Sequence, residues 1–392
     1  MLRFITTLAL ACALVPAPHA AGQDIAPGRV VDAVACAGDP SQTYALYLPS
    51  TYTPSRPWPL ILGFHPGARG RAIVDTYQAA AERYGYIVAA SNNSRNGSWD
   101  VTARAVSAMT ADIARRFPVA AGRFYTAGLS GGARVALQIA LTSGKINGVI
   151  ASSAGFPDAT PRSSVPFVIY GTAGTEDFNY IEMKLMGRAL KTPHRIVIFE
   201  GGHQLPPAPV AMDAVEWLEV QAMRANARER DPALINALFD KRVADANTAG
   251  SPDEAAEALQ AVVADFDGLH DVANVAARVK ASLADPAVKR ALKRAHDDEV
   301  TEARMLQEIA NLEGGLGNEN LRAQSLLHLR DTLTRTFKRA TAPEDSRDRR
   351  QARRVLRAVI GGASERVQDS EYRALVDSLR LPGAGRGRGT AE

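Results

Sequence analysis

The chain has 392 residues, of which 46% are hydrophobic and 22% charged, with a formal net charge of +4. A chain of this length and composition builds an ordinary globular core, and its small charge leaves no electrostatic footprint for nucleic acid. The seven histidines are scattered without ligand spacing, so neither a metal site nor a cofactor is expected.

Residues 1–21 carry one early positive charge at Arg3, an apolar run and small residues around Ala20. This is the pattern of a cleavable secretory signal peptide, too short to span a bilayer. A secreted or periplasmic location with no transmembrane segment follows as the expectation. Cys36 is then the one thiol of the mature chain, so no internal disulfide forms.

Residues 43–48 alternate as a strand, and a polar loop, PSTYTPSRPWP, follows. Residues 60–64 are continuously apolar, as in a strand buried on both faces, and run into His65-Pro66-Gly67-Ala68. A helix at 73–84, a strand at 86–91 and a helix at about 99–116 come next. Residues 123–140 read as a short strand, a sharp glycine turn and a helix. Strands at 148–153, 165–171 and 195–200 complete the alternation, with a helix at 179–191 and another carrying Trp217 and Leu218. Strands alternating with helices over 22–223 predict a mostly parallel sheet flanked by helices. The connection from 153 to 165 leaves no room for a large cap.

Beyond Met223 the strands vanish, and residues 224–381 read as an all-helical region. Helix starts are marked at Asp231-Pro232, Ser251-Pro252 and Asp285-Pro286, and Ser251 with Glu254 forms a capping box. The second and third starts lie 34 residues apart, the period of a tetratricopeptide repeat, but that repeat's signature residues are mostly absent. A helical bundle or degenerate repeat is expected, and with it a surface for a protein partner. Residues 224–232 are charged and poor in large apolar groups, which suggests a linker, and with it a sheet half that works alone when the chain ends near Arg230. Residues 382–392, PGAGRGRGTAE, read as a disordered tail.

The chemistry centres on Gly128-Leu129-Ser130-Gly131-Gly132, the G-x-S-x-G pattern of a nucleophile elbow. A strand-to-helix reversal this tight strains the central residue and leaves no room for side chains beside it. A serine hydroxyl needs a base, and His203, in the glycine loop FEGGHQLPP after the last strand, is the candidate. The orienting carboxylate is expected past the penultimate strand, where Asp177 is preferred and Glu176 is held in reserve. Oxyanion donors are expected from the Gly131 N–H and, since Pro66 has none, from Gly67 or failing that Ala68. Asn92, Asn93 and Arg95 lie in a polar loop past a strand's carboxyl end and are candidates for binding substrate. The plainer readings are a glycine-rich turn at Ser130, a helix cap at Asp177 and a loop histidine at His203.

On YALYLPSTYTPSRPWPLIL, FHPGARG, AAERYGYIVAASNNSRNG, GLSGGARVA, AGTEDFNY and FEGGHQLPP, roughly residues 40–222 resemble one α/β-hydrolase group. It is the polyhydroxybutyrate depolymerase/feruloyl-esterase-like group, close to dienelactone-hydrolase-type serine esterases. The order Ser130, Asp177, His203 is that of α/β-hydrolases. The resemblance implies a secreted serine hydrolase acting on small-molecule or polymeric carboxylic esters. Two departures stand out: the oxyanion loop reads His65-Pro66-Gly67 instead of H-G-x, and the acid lies six residues past Gly171 instead of the commoner three. Two further readings remain open, a serine peptidase of prolyl-oligopeptidase type, although no N-terminal propeller is present, and a binding or scaffold protein with a vestigial site.

Overall fold

The computed structural model describes residues 25–381 except 159 and 161. The signal-peptide reading of 1–21 and the tail 382–392 lie outside the described residues. Eight strands form one sheet: β1 (Val30–Cys36), β2 (Asp39–Tyr47), β3 (Trp58–Phe64), β4 (Ile87–Ser91), β5 (Val119–Leu129), β6 (Gly148–Ser152), β7 (Val168–Gly174) and β8 (His194–Phe199). Their order is β1-β2-β4-β3-β5-β6-β7-β8. The first two strands join antiparallel and the other six run parallel.

The sheet half contains five helices: α1 (Gly70–Tyr84), α2 (Trp99–Arg116), α3 (Gly131–Ser143), α4 (Tyr180–Ala189) and α5 (Ala208–Arg224). Leu60, Leu62 and Phe64 of β3 pack on one face with Met109 of α2, Leu137 of α3 and Met183 of α4. Ile61 of β3 packs on the other with Ile73 of α1 and Trp217 of α5. A strand feeding both layers has no polar face, so β3 reads as an unbroken apolar run. Strand β1 has no such signal. Its pairing with β2 shifts register between Val31 and Val34, which breaks the alternation that marks an edge strand.

Seven helices follow: α6 (Pro232–Asn247), α7 (Pro252–Phe266), α8 (Ala273–Ala284), α9 (Pro286–Gly315), α10 (Glu319–Ala340), α11 (Arg347–Arg366) and α12 (Ser370–Ser378). The three proline starts are real caps. The side chains of Asp231, Ser251 and Asp285 accept from the backbone N–H of Leu234, Glu254 and Ala287. Lengths from 9 to 30 residues exclude a constant repeat. No helix of the described residues is long and apolar enough to cross a membrane.

The expected linker is not a free one. Buried Glu219 on α5 takes Arg228 from this segment together with Arg123 and the Tyr86 hydroxyl. Arg224 donates to the Ala264 carbonyl at 2.7 Å. Helix α5 is buried on every side from Ala214 to Met223. Its inner face meets the sheet, and its Val220 and Met223 share a core with Ile235, Leu238 and Phe266 of α6 and α7. Asp265 of α7 accepts from Trp217 Nε1 at 2.7 Å and pairs with Arg195 of β8 at 2.9 Å. The linker reading fails here because Arg228 meets the buried Glu219 and Arg224 meets the end of α7, while Glu229 and Arg230 stay exposed.

A chain ending at Arg230 should therefore not behave as an independent domain. It uncovers Val220 and Met223 and removes the partners of Trp217 and Arg195. Size-exclusion chromatography and thermal unfolding should show aggregation or loss of a cooperative transition. A monodisperse protein melting like the full chain would refute this.

Candidate active site

The parallel register brings several strand ends to one edge of the sheet. Leu129 of β5 pairs with Ser152 of β6, Ser152 with Thr172 of β7, and Gly174 of β7 with Phe199 of β8. Ser130 follows β5 at φ 53 and ψ −121. Its N–H donates to the Ser152 carbonyl at 2.8 Å. A Cβ on Gly128 would lie 2.2 Å from the Gly132 carbonyl oxygen, and one on Gly132 would lie 2.2 Å from that of Phe64. Helix α3 thus starts hard against two strands, and only glycine permits it. Positive φ at a serine is a strained arrangement held by its surroundings.

Strand β7 continues to Gly174, so Asp177 lies three residues past the strand's end, which accounts for the apparent displacement of the acid from Gly171. Asp177 is fully buried. Its Oδ1 accepts from His203 Nδ1 at 2.8 Å and from the Asn179 N–H at 2.8 Å, while Oδ2 has no partner. Phe178 stacks on the imidazole, with centroids 3.9 Å apart and planes 21° from parallel. A Cβ on Gly174 would come within 2.4 Å of the Gly201 and Gly202 carbonyls, so the histidine loop lies flat on the end of β7. Ser130 lies at the same edge, and among the described residues its hydroxyl makes no hydrogen bond with His203.

Among the described residues Glu176 makes no hydrogen bond with His203, which bonds Asp177 instead. Its carboxylate meets Arg353 and Arg357 of α11, each at 2.7 Å. Burial pushes its pKa up, but the two guanidinium groups outweigh that and hold it below the ordinary carboxylate value. Arg354 donates to the Thr175 carbonyl and Arg357 to the Glu176 carbonyl, both at 2.8 Å. Arg354 also pairs with Glu302 of α9 and lies over the Tyr180 ring, 4.0 Å from its centroid. The helical half therefore grips the two residues that precede Asp177. Nothing in the sequence pairs 175–176 with 353–357, so this contact was not legible there.

The turn after β3 departs from expectation. Gly67 donates its N–H to His65 Nδ1 at 3.0 Å, and Ala68, at φ 56, donates to the His65 carbonyl at 3.1 Å. Neither donor is free for an oxyanion in this conformation. His65 is buried, with Arg69 Nη2 3.0 Å from its Nε2. Burial, then the Arg69 charge, lowers its pKa from 6.5 to about 4.

Asn92 and Asn93 do not serve the site. Asn92 donates to the Asp32 carbonyl and Thr43 Oγ1, while Asn93 accepts from the Thr43 N–H and donates to the Ser41 carbonyl. Both amides tie β1 and β2 to the end of β4, a role that a polar loop shares with substrate binding at sequence level. Arg95 lines a cavity of 450 Å³ beside Gly131, together with Asn96, Trp99 and Arg134. Asn96 escaped the sequence reading. Its N–H donates to the Pro66 carbonyl at 2.8 Å, and its side-chain oxygen lies 1.8 Å from where a Gly131 Cβ would be. A larger cavity opens on His203 and Phe178 and is walled by α11. Among the described residues no group of acidic, histidine or cysteine side chains is arranged to hold a metal ion.

No family model matches the chain, and no curated protein matches it. Similar solved structures include a fluorophosphonate-binding serine hydrolase of Staphylococcus aureus, with 14% identity over 45% of this chain and 92% of that one (TM-score 0.37). A feruloyl esterase module from Clostridium thermocellum is 12% identical over 48% of this chain and 86% of its own (TM-score 0.37). A thermophilic esterase from Thermogutta terrifontis is 15% identical over 48% and 91% (TM-score 0.38). By its own topology the sheet half has the α/β-hydrolase fold. The strand order, the parallel crossovers and the strained serine between β5 and α3 carry that assignment.

Two outcomes follow from this geometry. Asp177→Asn should lower turnover by roughly four orders of magnitude with the fold retained. Glu176→Gln should mainly lower the melting temperature by loosening α11, with a far smaller loss of turnover. Steady-state kinetics and thermal unfolding on both variants decide it, and the reverse ranking would move the orienting role to Glu176. For His65, the unfolded chain binds a proton below about pH 6.5 while the folded one stays neutral down to about pH 4. Stability should therefore fall as pH drops through that window, by up to about 3 kcal/mol from this group. His65→Asn should flatten that part of the stability profile relative to wild type, as read by denaturant unfolding across pH.

Proposed function

We propose that the protein is a serine hydrolase that cleaves carboxylic esters through an acyl-enzyme on Ser130. The observation that carries this is the 2.8 Å Asp177–His203 bond at the same sheet edge as the strained Ser130 turn. Asp177 fixes the Nδ1–H tautomer of His203, which leaves Nε2 as the base. In the reaction Ser130 Oγ attacks the ester carbonyl while Nε2 takes its proton. The tetrahedral intermediate collapses, Nε2 returns that proton to the departing alcohol, and the acyl group stays on Ser130. Water then attacks the acyl carbonyl while losing a proton to Nε2, and the second intermediate breaks its bond to Ser130 Oγ, which takes that proton back as the acid leaves. The free enzyme need not hold the Ser130–His203 hydrogen bond, because such bonds often tighten only with substrate.

The negative charge on the intermediate requires preorganised donors. Gly131 is the first residue of α3, and its N–H has no acceptor within the helix. The Asn96 amide, packed on Gly131, is the second donor in this reading and takes the place expected of Gly67. Export rests on the signal-peptide pattern at 1–21. The solved structures that resemble this chain include esterases, which agrees with an ester substrate.

Purified protein should react with a fluorophosphonate probe, and Ser130→Ala should abolish the labelling. Wild-type protein should also hydrolyse short chromogenic esters faster than matched amides. A folded Ser130→Ala variant that still labels would refute the nucleophile, and faster amide cleavage would favour the peptidase reading.

A further inference from the structure

The larger cavity, about 1060 Å³, lies between the His203 loop and the start of α11. Its walls carry Arg349, Arg350, Arg353, Arg357 and Arg380, opposed by Glu176, Glu200 and Asp345. The carboxylates are already matched. Glu176 is held by Arg353 and Arg357, and Arg350 bridges Glu200 at 2.7 Å and Asp345 at 2.6 Å. Arg380 pairs with Asp377. Arg349 is left under-matched. Its Nε is buried with no hydrogen-bond partner, and its nearest carboxylate oxygen, on Asp345, is 3.9 Å from Nη1. That Nε is closed off from solvent, so it is the Nη groups, the nearer to Asp345 still 3.9 Å from it, that an anion in the cavity would meet.

Position turns this charge into specificity. Arg357 Nη1 lies 3.7 Å from where a Cβ on Gly202 would be, next to His203. His203 is the group that protonates the departing alcohol in the proposed reaction, so a cavity opening on it receives the alcohol side of an ester. The 450 Å³ cavity beside Gly131 and Asn96 is left for the acyl side. We infer that the arginine-walled cavity binds an anionic group, a carboxylate or phosphate, carried by the alcohol portion of the substrate, with Arg349 as its principal partner. This rests on the hydrolase reading above. It also gives the helical half a role in choosing substrate, since four of the five arginines lie on α11.

The test compares acetate esters that differ only in the charge of the leaving phenol: 4-acetoxybenzoate, 4-acetoxyphenyl phosphate and neutral 4-acetoxybenzamide. Each kcat/KM is divided by the spontaneous hydrolysis rate. At low ionic strength the anionic esters should exceed the amide by about tenfold or more, the scale of one charge-assisted hydrogen bond. The gap should shrink with added salt. Arg349→Gln should bring the ratio towards one, chiefly through KM, and Arg349→Lys should restore only part of it because the fork geometry is lost. Whichever anion shows the larger ratio identifies the source.

Binding of 4-hydroxybenzoate and 4-hydroxybenzamide to the full-length protein, measured by calorimetry, gives a readout that needs no turnover. Preferential binding of the carboxylate, lost in Arg349→Gln, supports the site even if no ester is cleaved, in which case the hydrolase reading alone fails. Turnover or binding that does not distinguish anionic from neutral compounds in the wild-type protein overturns the inference.

Discussion

The site depends on the reversal at Ser130. Helix α3 begins so close to β3 and β5 that Gly128 and Gly132 meet backbone oxygens where any Cβ would stand. That proximity holds a serine at positive φ, a conformation no isolated peptide would retain. It also points the first N–H groups of α3 at the place where charge develops in the proposed reaction. Parallel strands with matched ends then bring the Asp177 and His203 loops to the same edge. The helix N-terminus, the strained Ser130 and the Asp177–His203 pair meet at one edge through one packing arrangement.

A second constraint comes from the other half of the chain. The loop that carries Asp177 is closed internally by the Asn179 N–H on Oδ1 and the Asp177 N–H on the Gly174 carbonyl, it is tied to the histidine loop by the Glu176 N–H on the Gly201 carbonyl, and further support comes from the helical half. Arg353, Arg354 and Arg357 recur at helical spacing on α11 and bind the side chain or carbonyls of Thr175 and Glu176. Partly buried ion pairs of this kind contribute little net stability, since desolvation offsets their attraction, but they define geometry closely. The helical half thus adds a second set of ties to a loop that the sheet half also holds. It walls a cavity where no inserted cap is present.

Much of the site was legible in the sequence because its signals are local. Gly128 to Gly132 announce a turn, Gly201 and Gly202 announce a loop, and the chain order of Ser130, Asp177 and His203 follows the strand order. The choice between Glu176 and Asp177 rested on weaker grounds, and the arginines of α11 are what separate the two. Asn92, Asn93 and Asn96 illustrate the limit. All three are amides in one polar loop, and only the packed sheet shows that two brace β2 while the third lies on Gly131.

By itself the sequence determined the alternation of strands and helices, the glycine reversal, the proline-capped starts of α6, α7 and α9 and the residues able to act as nucleophile, base and acid. Each of these follows from periodicity, backbone conformational preference or side-chain chemistry within a few neighbouring residues. Tertiary structure decided the rest: the edge strand β1, the engaged N–H groups of the His65–Ala68 turn, the buried pairing of Arg228 with Glu219 and the grip of α11 on the Asp177 loop. Those depend on which surfaces meet. A charged side chain reads as solvated until its partner, 9 residues away for Arg228 or 177 for Arg353, is brought against it.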